Sequence, residues 1–188
     1  VALFKILLAA GLPDEAGQLL QGEGATVGHA LVVDDRVAKI TFTGSTTVGK
    51  LILSRAGIKK VTLELGNSSP VIVAPDVDLD FVAQRCAIGA FAHAGQVCIS
   101  VQRIYSDCRI QAELTEKLIA ATQALVVGDP LEDATDVGPM IAVAEAERIE
   151  HWLNEAEQAG ARRLVGGQRD GAVFYPTLLD HTSPHMKV

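Results

Sequence analysis

The 188-residue chain has no C-x-x-C pair, and its three cysteines, Cys86, Cys98 and Cys108, are odd in number. That pattern speaks against a disulfide framework and against the common zinc sites, and it points to a reducing cytoplasm. Basic excess is also absent. Sixteen Lys and Arg face 23 Asp and Glu, a formal net charge of −7 with no basic stripe, so binding to nucleic acid or anionic lipid is not expected. No apolar run is long enough for a membrane: Val1 to Ala10 is interrupted by Lys5 and falls far short of the roughly 20 residues that span a bilayer. It reads as a helix rather than a signal sequence. Internal repeats, low-complexity tracts and heptads are missing as well. The chain does not begin with Met and opens inside an apparent helix stopped by Gly11 and Pro13, so it is expected to be an interior piece of a longer protein.

What is present is a composition suited to a packed core, with 48% hydrophobic residues. The residues Ile40 to Thr43 read as a strand that passes through Gly44 into a helix, the order of an α/β unit whose helix N-terminus faces the turn. Val61 to Leu65 and Val71 to Val73 read as short strands. Between them Gly66, Asn67, Ser68, Ser69 and Pro70 continue neither, which predicts a domain boundary. Asp78 or Asp80 is expected to cap a helix that runs to Gly95, followed by a loop from Gly95 to Cys98. A strand over Ile99 to Tyr105 and helices over Ile110 to Leu125 and Ala142 to Ala159 come next, and strand and helix are expected to alternate to the end.

Residues 44–50 read G-S-T-T-V-G-K, which matches a phosphate-binding P-loop as far as Lys50. Leu51 removes that reading, because a P-loop needs a Ser or Thr hydroxyl there to hold Mg²⁺. A glycine turn with Ser45 and Thr46 at a helix N-terminus remains, and it is either an anion site suited to a pyrophosphate or an ordinary capped helix. Cys98 stands in a loop after a helix, where a sulfur can be exposed and its own N–H can meet a developing oxyanion. The competing reading is a buried, inert thiol, which Cys86 and Cys108 are expected to be. Glu64 lies between Leu63 and Leu65 in an apolar strand, a costly place for a carboxylate unless it is ion-paired or serves as a general base. His93 is expected to cap or pack rather than to activate Cys98. Asp76, Asp78 and Asp80 lack the glycine and bidentate glutamate of a calcium loop, and no set of Cys and His has metal-ligand spacing.

Taken together, Ile40-Thr41-Phe42-Thr43-Gly44-Ser45 with Gly49, then Leu63-Glu64-Leu65-Gly66, then Gly95-Gln96-Val97-Cys98 resemble the aldehyde dehydrogenase superfamily in order and spacing. Further matches at Asp76 to Asp80, Val127 to Pro130, Gly138-Pro139 and Tyr175-Pro176-Thr177 extend the resemblance over nearly the whole chain. It implies that Gly44, Ser45 and Gly49 meet the pyrophosphate of NAD or NADP, and that Leu65 and Gly66 lie beside the nicotinamide. It further implies that Cys98 attacks an aldehyde and that Glu64 activates the water that releases a carboxylic acid. Val97 and Ile99 are expected to form an apolar wall for the aldehyde. Departures are Asn67 and Ser68, where glycine and lysine are common, and His93, where asparagine is usual.

The expected fold class is α/β, part of a doubly wound cofactor-binding domain over residues 1–66 and part of an α/β catalytic domain over 67–188. Expected partners are a small aldehyde and, as family members are usually dimers or tetramers, further copies of the complete chain. A rival expectation is a non-catalytic remnant that keeps the fold for assembly.

Overall fold

The computed structural model describes residues 1–188, which divide into two compact units, Val1–Gly66 and Asn67–Val188. In the first, helix α1 (Ala2–Ala9) ends where Gly11 takes a left-handed φ of +95°, as the Gly-Pro signal predicts. A wide turn over Gly24–Gly28 leads into a short helix α2 (His29–Val33), which the residue pattern did not reveal. Strand β1 (Lys39–Gly44), helix α3 (Thr46–Arg55) and strand β2 (Lys60–Leu65) then form a βαβ unit with β1 and β2 parallel, Thr43 standing opposite Glu64. Its core is Val32, Ile52 and Ala56, with Ile40, Phe42 and Val61 packed against them.

The second unit opens with another βαβ. Strand β3 (Ser69–Val73) and strand β4 (Val101–Ser106) are parallel, joined through helix α4 (Leu79–Phe91). Here β3 starts earlier than expected, because Pro70 is accommodated at an irregularity: the register slips between Ser69 and Pro70, where no ladder N–H is required of it. Asp78 caps α4, its Oδ1 accepting from the N–H groups of Asp80 and Phe81 at 3.0 and 3.1 Å. Val73, Leu79, Ala83 and Cys86 pack with Leu114 and Leu118 of helix α5 (Gln111–Gln123). Leu114 is almost wholly buried, a contribution of about 1.5–3 kcal/mol.

Past helix α6 (Val143–Gln158) the expected alternation fails. Four short strands follow without a helix: β5 (Arg162–Val165), β6 (Arg169–Asp170), β7 (Val173–Phe174) and β8 (Leu178–Asp180). They pair antiparallel, β5 with β8 and β6 with β7. Left-handed Gly166, Gly167 and Gly171 turn the chain back within a few residues, too few for the crossover that a parallel pair needs. No helix is long and apolar enough to cross a membrane.

Candidate functional site

The turn after β1 is built by ordinary rules. Ser45 is extended and caps α3, its hydroxyl accepting from the Val48 N–H at 3.3 Å, so the capped-helix reading is present in full. A hydroxyl that accepts still has a proton to donate, and the first N–H groups of a helix have no partner within it, so the cap leaves donors for an anion. Gly49 has a separate purpose. A Cβ there would lie 2.8 Å from Leu65 Cδ2 and 3.5 Å from Leu63 Cδ1, so its absence lets α3 lie against β2. At Gly44 a Cβ would meet the Phe42 ring at 2.4 Å.

Glu64 corrects an expectation. It is exposed, with no ion-pair partner, so neither burial nor a buried ion pair describes it in this chain. Side chains alternate along a strand, so with Leu63 and Leu65 turned to α3, Glu64 points from the opposite, uncovered face of the β1–β2 sheet. Leu65 is half-buried, while Gly66 has open space where a Cβ would be.

The cysteine turn follows different rules. Helix α4 ends at Phe91, four residues before Gly95, and His93 and Ala94 take left-handed φ values of +52° and +55°, with Gly95 at +74°. Only Gly95 adopts this without steric cost, and a Cβ on it would also sit 3.3 Å from the Ala90 carbonyl oxygen. His93 is exposed and neither caps nor packs, which corrects the expectation for it; histidine is one of the residue types that enters left-handed backbone more readily than most. Val97 to Ser100 then form a tight turn, closed by the Ser100 N–H donating to the Val97 carbonyl at 3.0 Å. Cys98 sits on it exposed, its N–H making no hydrogen bond within the chain. Ile99 is 73% exposed, and it lies in the turn rather than starting β4.

Two side chains that residue type alone did not mark tie this turn down. Ser100, 2% exposed, donates from Oγ to the Ala90 carbonyl at 2.9 Å and accepts from Gln102 Nε2 at 2.8 Å. The Gln96 amide donates from Nε2 to the His93 carbonyl at 3.0 Å and accepts from the Ile141 N–H at 3.0 Å. The other thiols differ. Cys86 is buried, and burial pushes its thiol up, whereas Cys108 is exposed, contrary to the expected burial. Beside it Asp107 is held down to about 2, first by the Arg109 guanidinium.

The whole chain, residues 1–188, matches the aldehyde dehydrogenase family. It belongs to that family. A 3-sulfolactaldehyde dehydrogenase of Priestia aryabhattai is 48% identical over 186 residues, which cover 99% of this chain and 39% of that protein. The crystal structure of glyceraldehyde-3-phosphate dehydrogenase GapN from Methanocaldococcus jannaschii, complexed with NADP, is 43% identical with a TM-score of 0.89, over 94% of this chain and 39% of that one. An NAD-dependent aldehyde dehydrogenase from Sinorhizobium meliloti is 35% identical with a TM-score of 0.95, over 99% of this chain and 38% of that one. The chain thus spans about two fifths of the length of these relatives, and its α/β architecture is that of the family.

Proposed function

We propose that the complete protein carrying this chain oxidises an aldehyde to a carboxylic acid with NAD or NADP. The observation that carries this reading is Cys98, held exposed on a tight turn with its own N–H unengaged, in a chain that matches an aldehyde-oxidising family along its whole length. Cys98 Sγ, as the thiolate, bonds to the aldehyde carbonyl carbon, and the Cys98 N–H donates to the oxyanion that forms. NAD or NADP, when bound, supplies the hydride acceptor through which the thiohemiacetal becomes a thioester. Glu64 then takes a proton from water as that water attacks the thioester carbonyl. The carbon–sulfur bond breaks, the acid leaves and Cys98 is regenerated as the thiolate.

For the dinucleotide, Ser45 and the first N–H groups of α3 would hold the pyrophosphate, a donor set at a helix N-terminus that suits two phosphates. Gly49 lets α3 approach β2, Gly44 sets the turn, and Leu65 and Gly66 end β2 where the nicotinamide would lie. Residues 1–66 thus serve as part of the cofactor-binding domain and 67–188 as part of the catalytic domain, with copies of the complete chain as partners. Relatives named for 3-sulfolactaldehyde and glyceraldehyde 3-phosphate favour a short 2-hydroxyaldehyde with an anionic group on its third carbon.

Cofactor reduction by the full-length protein across neutral and anionic short aldehydes tests the reading. Reduction that disappears in Cys98→Ala supports it. Silence of the wild type with every aldehyde and both cofactors would replace it with the non-catalytic reading.

A further inference from the structure

The chain between Ala90 and Gln102 is held at points on both sides of Cys98. Two residues before the sulfur, the Gln96 amide joins the His93 carbonyl to the Ile141 N–H, 45 residues away. Two residues after it, the buried Ser100 hydroxyl joins the Ala90 carbonyl at the end of α4 to Gln102 Nε2 at the start of β4. The other bonds of the turn are backbone ones, from the Gln96 N–H to the His93 carbonyl at 3.1 Å and from the Ser100 N–H to the Val97 carbonyl at 3.0 Å. The three left-handed residues upstream, His93, Ala94 and Gly95, form a stretch in which two residues with a Cβ hold a sparsely populated backbone. Such a stretch persists when surrounding contacts over-determine it.

We propose that Gln96 and Ser100 are positioning residues: together they clamp the Cys98 turn, Gln96 against residue 141 and Ser100 against the end of α4. Neither is assigned contact with substrate. Each acts through the backbone, fixing where the Cys98 sulfur and its N–H stand. This rests on the reading of Cys98 as the nucleophile only for its catalytic consequence, since the clamp itself is a property of the fold. A reacting sulfur displaced by about 1 Å can lose 10²-fold in rate, so loss of the clamp should appear in bond formation.

Gln96 is the more informative of the two, because its amide uses opposite ends for its two partners. Methionine matches its length and forms neither bond. Glutamate keeps an oxygen that can accept from the Ile141 N–H, but its other oxygen has no proton to donate to the His93 carbonyl oxygen, which keeps only the backbone N–H of residue 96. The expected order is therefore wild type, then Gln96→Glu, then Gln96→Met.

The experiment combines backbone hydrogen exchange over residues 93–100 with the pre-steady-state burst of cofactor reduction, both on the full-length protein. Expected for Gln96→Met are tenfold or faster exchange across the turn and a burst slowed by tenfold or more, while the dissociation constant for cofactor stays within twofold. Gln96→Glu should recover part of both, a graded rescue that a general loss of stability does not produce. Ser100→Ala should speed exchange on the far side of the turn. Should Gln96→Met fail to fold, Gln96→Glu and Ser100→Ala carry the same comparison. Exchange that stays at the wild-type rate in all soluble variants overturns the clamp. Faster exchange with an unchanged burst overturns its role in positioning. Failure of the dehydrogenase reading itself shows separately, as reduction that persists in Cys98→Ala.

Discussion

The turn that opens α3 and the turn that carries Cys98 both present polar groups at the end of an element, yet they are held in different ways. The first closes over four residues: Ser45 caps the helix through the Val48 N–H, and Gly49 lets the helix lie on its own following strand. The second draws on Ala90, Gln102 and Ile141 and keeps two non-glycine residues in left-handed backbone. A locally closed turn is a generic donor cluster, which many helices offer without a ligand. A turn held from several places fixes one atom, which is what a nucleophile requires and an anion site does not.

The sharpest way to test that contrast is to remove the atom. Cys98→Ala should reduce steady-state cofactor reduction to background while leaving cofactor binding within twofold, as read by titration and turnover on the same preparation. Glu64→Gln, on strand β2, should lower steady-state turnover by about 10²–10⁴ yet keep a single burst of reduced cofactor. A variant with neither burst nor turnover would remove Glu64 from deacylation. The packing beneath the turn that opens α3 is broken by Gly49→Val. The new side chain drives into Leu65 and Leu63, at a cost of about 1–3 kcal/mol, read from chemical denaturation, and by moving Leu65 it should weaken cofactor binding.

In the second region, Ser100→Ala leaves the Ala90 carbonyl and Gln102 without their partner. The expected loss is about 1–3 kcal/mol, so equal stability for variant and wild type would show that water takes over both bonds. The smallest effect lies outside both turns. Asp180 is held down to about 2, first by the Arg162 guanidinium that joins β8 to β5. A carboxyl with a depressed folded-state pKa stabilises the fold above its unfolded pKa, and that contribution fades as pH falls through the folded value. Between about pH 4 and pH 2, Asp180→Asn should therefore lose less stability than the wild type, as followed by thermal midpoint.

Both βαβ units could be read from residue order, because they rest on local rules: Gly44-Ser45 starts α3, Asp78 starts α4, and β-rich runs flank them. Reading failed where a distant partner or an uncovered face decided the outcome. Glu64 between two leucines looked buried, but the sheet has a helix against its leucine face and leaves the other uncovered, and period-two alternation puts Glu64 on the latter. Pro70 looked unable to continue a strand until a shift in register found it a place. The closing antiparallel strands were missed because their pairing follows from left-handed glycines, whose φ is invisible in a residue pattern.

The family could be identified from the sequence alone, because three short motifs at fixed spacing specify both cysteine and glutamate, and side-chain chemistry is a property of residue type. The tertiary structure alone decided what holds the cysteine. Ser100 and Gln96 are ordinary residue types whose weight comes from the Ala90 carbonyl and the Ile141 N–H, and these reach them only once α4, β4 and the segment before α6 have packed. A hydrogen bond between groups 45 residues apart is set by where the backbone passes, and no local pattern of residues encodes that path.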